Sequence, residues 1–176
     1  MIGIAVTLST EAAEAASGPE NTLVLELKTG AVVIELLPEV APNHVARIKE
    51  LTREGFYDGI VFHRVIDGFM AQTGDPTGTG TGGSGKKLKA EFSKEPFLRG
   101  TVGMARSQSP DSGDSQFFIC FDAAQFLDGQ YTVWGRVVEG MEHVDQIKKA
   151  PKGSQSGQVS DPDKIVRMHV QADIKN

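Results

Sequence analysis

The sequence predicts an all-β domain in which a sheet closes on itself and two helices cover its openings. Three observations carry this expectation. Short apolar stretches of strand pattern are separated by turn signals, only two segments have helical periodicity, and neither linker nor internal repeat divides the 176 residues. A chain of that length suits one domain with a substantial core. Periodicity by itself leaves barrel and sandwich both open.

The elements follow in order. After Gly18-Pro19, Leu23, Leu25 and Leu27 alternate with Val24, Glu26 and Lys28, the two-residue period of a half-buried strand. Thr29-Gly30 marks a turn, and Ala31 to Leu37 reads as the returning strand. Pro42 opens a helix with Val45, Ile48 and Leu51 inward, because proline's missing N–H has no partner to lose in a first helical turn. The stretch FHRVIDGFMAQTGD, Phe62 to Asp75, reads as strand, and the Gly/Thr-rich tract from Gly74 to Gly85 as a flexible surface loop. FFICF, Phe117 to Phe121, is a further strand. A second helix is expected from Glu139 to Lys149, with Met141, Val144 and Ile147 inward, two lysines favouring its dipole and Pro151 stopping it. Val166, Met168 and Val170 alternate with Arg167 and His169 as the last strand.

Composition narrows the function. The net charge is −5 with basic residues dispersed, so there is no electrostatic case for nucleic acid or an anionic membrane. No apolar run approaches the length that spans a bilayer. Cys120 stands alone, which excludes an intramolecular disulfide and suits a small buried hydrophobe. Residues 1–18 differ from the rest: Ile2 to Leu8 is apolar and Ala13 to Ser17 small, yet no Lys or Arg precedes them and Glu11 and Glu14 intervene. These features favour an N-terminal extension ahead of a domain at 19–176, and cytoplasm over a periplasmic location reached by a signal peptide.

Several motifs weigh little. Gly78, Gly80 and Gly83 fit G-x-G-x-x-G, and Gly80 to Lys86 fits the opening of a phosphate-binding loop. Lys87 then stands where magnesium chemistry needs Ser or Thr, and no amphipathic helix follows. His44, His63, His143 and His169 are scattered without metal-ligand spacing, so no metal or other cofactor is expected. Asp111 and Asp114 suit a solvated turn. No Ser or Cys stands beside a base as an activated nucleophile would.

Arg64 is the strongest chemical signal. It sets five donors in a fixed fork amid Val65, Ile66, Phe69 and Met70, with Gln72 following. A fixed cation against apolar walls, without acid, base or nucleophile, suits chemistry that makes and breaks no bond. The alternative is a half-buried arginine in an ion pair. His63, its neighbour in a strand, would point to the opposite face and serve structure.

This segment closely resembles the signature of the cyclophilins, the peptidyl-prolyl cis–trans isomerases. Two further blocks support the match: GMARSQSPDSGDSQFFICF, Gly103 to Phe121, and FLDGQYTVWGRVVEGMEHVDQI, Phe126 to Ile147. The resemblance runs in register from Thr22 to Ile174 and implies a closed eight-stranded antiparallel β-barrel capped by two α-helices. It assigns catalysis to Arg64, with Phe69 and Gln72, and the proline pocket to Phe69, Met70, Phe118 and Leu127. Arg106, Ser107, Gln116, Phe126 and Tyr131 complete the substrate-binding set. Implied partners are proline-containing peptides and unfolded proteins, whose folding the enzyme helps; the lack of a heptad or long amphipathic extension makes a monomer the expectation.

Phe126 stands where eukaryotic members often carry Trp, Tyr131 where they carry His, and Arg106 where they carry Asn; the first two choices resemble bacterial members. The loop from Arg106 to Asp114 is one residue longer than the eukaryotic pattern. A module that only holds proline segments, and a nucleotide-binding protein, are the competing functions. The intact Arg64, Phe69, Gln72 and Phe118 set favours catalysis over the first. The indole N–H missing at Phe126 removes one donor to cyclosporin, so inhibition assays should give weak binding; submicromolar inhibition would contradict this.

Overall fold

The computed structural model describes residues 18–174, so nearly all of the expected N-terminal extension lies outside the described residues. Eight strands form one antiparallel sheet: β1 (Thr22–Leu27), β2 (Gly30–Leu36), β3 (Arg64–Ile66), β4 (Met70–Thr73), β5 (Thr101–Met104), β6 (Phe117–Cys120), β7 (Val133–Glu139) and β8 (Arg167–Val170). Their spatial order is β3-β4-β6-β5-β7-β2-β1-β8. Two helices accompany them, α1 (Pro42–Arg53) and α2 (Met141–Asp145).

The expected closed barrel needs correction. The sheet is an open, curled half-barrel, because its end strands β3 and β8 share no ladder. The chain ahead of β8 spans the gap by isolated bridges, Val61 to Lys164 and Arg64 to Gln158. Single backbone bonds reinforce them, such as Val65 N–H to the Gly157 carbonyl at 3.0 Å. A continuous strand cannot form there. Gly157 and Asp161 have positive φ (72° and 49°), and Pro162 lacks an N–H to give.

β1 and β2 form the expected hairpin, with Leu25 opposite Val32. The reading of Phe62 to Asp75 as one strand gives way to a hairpin: Gly68, at φ 75°, turns β3 back along β4. This turn sets Arg64 directly opposite Gln72.

Helix α1 buries Val45, Ile48 and Leu51 as the spacing requires. Its N-cap, Ala41, has no side chain able to cap. The Glu91 carboxylate, far along the chain, accepts from the backbone N–H of Asn43 (3.1 Å) and His44 (2.8 Å) instead. A carboxylate at this end also meets the positive pole of the helix dipole. α2 is much shorter than the expected 139–149. Gly140 turns at φ 85° directly after β7, so the helix starts at Met141 and ends at Asp145. Lys149 nevertheless serves the helix end, donating from Nζ to the carbonyls of Asp145 (2.5 Å) and Ile147 (3.1 Å).

Two apolar clusters lie on opposite faces of the sheet at β4 and β6. Ala71, Phe117 and Ile119 join the main core with Leu25, Ile34 and Trp134. Met70, Phe118 and Cys120 face the second cluster, with Phe97, Leu127 and Val133. Alternation along a strand sends successive side chains to opposite faces, so a strand buried on both reads as an unbroken apolar run. That explains FFICF. Burial pushes the Cys120 thiol up to about 12, in keeping with an inert core residue.

Candidate active site

The strand register builds a groove on the face of the second cluster. Arg64 pairs with Gln72, Gln72 with Phe118, and Phe118 with Gly103, a row across β3, β4, β6 and β5. The groove has a volume of about 500 Å³ and is floored by Met70, Phe118 and Leu127. Phe118 stacks on Phe97 at 5.7 Å between ring centres, and Tyr131 meets Phe118 edge-on at the same separation. Gly103 makes the stack possible: a Cβ there would lie 2.7 Å from both rings. The guanidinium of Arg106 sits 4.6 Å over the Tyr131 ring and donates to the carbonyls of Ser107, Gln108 and Gln130. Its side chain therefore braces the groove wall.

Arg64 is half-buried, and its protein partners are neutral. Nε donates to the Ser156 carbonyl (3.1 Å) and Nη1 to Gln72 Oε1 (3.2 Å). Among the described residues no carboxylate pairs with it, and Nη2 has no protein partner. An ion pair with any of the described residues is thereby removed. A positive charge with spare donors faces the groove.

The Gly/Thr-rich tract is a surface loop tied down by side-chain hydrogen bonds. The Asp75 carboxylate accepts four bonds from it: Thr77 N–H (2.8 Å) and Oγ1 (2.7 Å), Gly80 N–H (2.6 Å) and Gly82 N–H (3.1 Å). The amides that a phosphate would need are turned inward onto this carboxylate. Asp114 does the same for Ser84 and Gly85, whereas Asp111 stands exposed in the expected turn and accepts from Ala90 N–H. Among the described residues no three His, Cys, Asp or Glu gather to hold a metal.

The comparisons agree with this architecture. The family model for the cyclophilin-type peptidyl-prolyl cis-trans isomerases matches residues 22–170. The chain belongs to that family. A relative from Brucella suis biovar 1, named a probable peptidyl-prolyl cis-trans isomerase, is 54% identical over 98% of this chain and 93% of its own. A peptidyl-prolyl cis-trans isomerase of Synechococcus elongatus is 42% identical over 70% of this chain and 90% of its own. A crystal structure of a cyclophilin from Hirschia baltica superposes with a TM-score of 0.79 at 30% identity, covering 89% of this chain and 76% of that one. A Cryptosporidium parvum cyclophilin crystallised in the presence of the dipeptide Ala-Pro gives 0.78 at 28% identity, covering 88% and 99%. Like its family, the protein is a peptidyl-prolyl cis–trans isomerase.

Against the residues expected from the cyclophilin resemblance, Arg64, Phe69, Met70, Gln72, Arg106, Phe118, Leu127 and Tyr131 line the groove together. Ser107 and Gln116 line an adjoining recess of about 330 Å³. Phe126 stands outside, 71% exposed, with its ring 5.5 Å from that of Phe69. His63 does not point away. It precedes β3, so strand alternation does not govern it, and its buried ring borders the groove next to Gly80. Ser156 and Gln158 were not anticipated, because they reach Arg64 from the far end of the chain and no local pattern marks them.

Burial raises the Asp75 pKa, but its hydrogen bonds outweigh that and hold it at about 2, below an ordinary 3.8. A depressed carboxylate contributes stability above its unfolded pKa and loses it as pH falls through the folded one. The shift corresponds to about 2 kcal/mol. Acid unfolding of wild type and Asp75→Asn should therefore give a stability difference that is full above pH about 4 and shrinks towards pH about 2. A difference independent of pH across that window would refute the assignment.

Proposed function

We propose that this isomerase accelerates X–Pro rotation in unfolded or flexible chains by stabilising the twisted amide with Arg64. Rotation about a peptide bond faces a barrier of about 18–20 kcal/mol from amide resonance. Both isomers of an X–Pro bond are populated, yet they exchange over tens of seconds or longer. A catalyst must bind the twisted state more tightly than either planar form.

Twisting breaks the resonance and gives the prolyl nitrogen a lone pair that accepts a hydrogen bond. A guanidinium placed there donates to it most strongly in the transition state. The proline ring would sit on Met70, Phe118 and Leu127, with Phe69 closing one side, so that half of the bond is held while the other turns. Gln72 holds the guanidinium plane, and the backbone beside Arg106 would bind the segment preceding proline. No covalent intermediate is required, and the equilibrium is unchanged.

The observation that carries this reading is the unneutralised, half-buried guanidinium at the groove, with Nη2 free of protein partners among the described residues. The neighbour crystallised with Ala-Pro supports a proline-containing peptide as ligand. A charge-assisted hydrogen bond contributes roughly 1.5–3 kcal/mol, or about 10- to 100-fold in rate. NMR exchange on a short X–Pro peptide should show that loss in Arg64→Ala, with circular dichroism unchanged. Undiminished exchange in the folded variant would leave a groove that binds proline segments and whose turnover does not use Arg64.

A further inference from the structure

The glutamine that holds Arg64 is itself held, and the chain of contacts leads away from the groove. Gln72 Oε1 accepts from Arg64, and Gln72 Nε2 donates to Gln116 Oε1 at 2.9 Å. Gln116 Nε2 then donates to the carbonyls of Gly80 (3.0 Å) and Gly82 (2.9 Å). The N–H groups of the same two glycines point to the Asp75 carboxylate.

Each link fixes the polarity of the next. A carbonyl can only accept, so Gln116 must turn its NH2 towards the loop and its oxygen towards Gln72. Gln72 must then turn its NH2 to Gln116, which leaves its oxygen for Arg64. Guanidinium offers only donors, so the reverse orientation would set donor against donor. The orientation rests on where the loop carbonyls point, and a doubly anchored carboxylate sets that. Asp75 is almost wholly buried, and the loop folds tightly on it: a Cβ at Gly82 would lie 2.2 Å from Asp75 Oδ1.

We propose that Asp75 is a positioning residue for Arg64, acting through the glycine loop and two glutamine amides that it keeps in one polarity. The proposal rests on the assignment of Arg64 as the catalytic cation, but Asp75 itself touches no substrate. It also gives the Gly/Thr-rich tract a task in turnover. Thr77, whose hydroxyl donates to Asp75 and receives a contact from Thr79 at 2.8 Å, belongs to the same anchor.

The test uses the full chain with 15N relaxation at the Arg64 Nε–H, alongside catalysed exchange of an X–Pro peptide. Asp75→Asn removes the charge and supplies an NH2 where loop N–H groups need an acceptor. Thr77→Val is the milder variant, removing one hydroxyl bond with little change of shape. In either folded variant the Arg64 Nε–H order parameter should fall below its wild-type value, towards the range below about 0.6 that marks flexible groups. Catalysed exchange should drop by about 10-fold in Asp75→Asn.

Asp75→Asn should cause no additional loss in a Gln116→Ala background, because both act through one path. Rate losses that multiply in the double variant would overturn the proposal. So would an unchanged Arg64 signal in Thr77→Val once the Gly80 and Gly82 amides exchange faster with solvent. Full activity of Arg64→Ala would instead overturn the catalytic assignment, while the Arg64 relaxation data would still decide whether Asp75 positions that side chain.

Discussion

The structure depends on a cation kept partly out of water without a counter-ion among the described residues. An ion pair would be the ordinary solution for a half-buried arginine, and desolvating an unpaired charge is costly. Here the cost is limited in two ways: the guanidinium stays partly exposed, and its inner edge donates to a carbonyl and an amide oxygen. Neutral acceptors hold the group in place without quenching its field. A carboxylate in either position would fix the geometry equally well and remove the charge from the groove.

The requirement shapes the surrounding fold. The tight β3–β4 turn at Gly68 places Gln72 across from Arg64, and the curl of the sheet brings Ser156 to the other side. The opening between β3 and β8 belongs to the same arrangement. Held by two isolated bridges and single backbone bonds rather than a ladder, this edge leaves the irregular chain before β8 free to present a carbonyl to the guanidinium. The apolar half of the groove comes from strand β6, buried on both faces, with Gly103 allowing the Phe97 and Phe118 rings to stack.

Much of this was legible in the chain. The alternation at Leu23, Leu25 and Leu27 and the spacing of Val45, Ile48 and Leu51 appear where the pattern placed them. Arg64, Met70, Gln72 and Phe118 share one groove through the register of β3, β4 and β6, and Phe69, Arg106, Leu127 and Tyr131 reach it from the connecting segments. What escaped was set by distant partners. Glu91 caps a helix nearly fifty residues earlier, Ser156 grips Arg64, and Asp75 turns the amides of a glycine tract inward, none of which composition shows. The second helix was overextended because its apolar spacing continues to Ile147, whereas the backbone is set by Gly140 at one end and a turn at the other.

The central claim is that the charge of Arg64 must remain unpaired by protein. Gln72→Glu tests it against Gln72→Ala, which loses the same donor to Gln116 without adding charge; the glutamate keeps the side chain's size and still accepts from Nη1 but supplies a neutralising carboxylate. Catalysed cis–trans exchange measured by NMR should fall by about 10-fold or more, with the fold intact and the proline peptide still bound. Wild-type exchange from a folded Gln72→Glu protein, with the new ion pair demonstrated, would contradict the account.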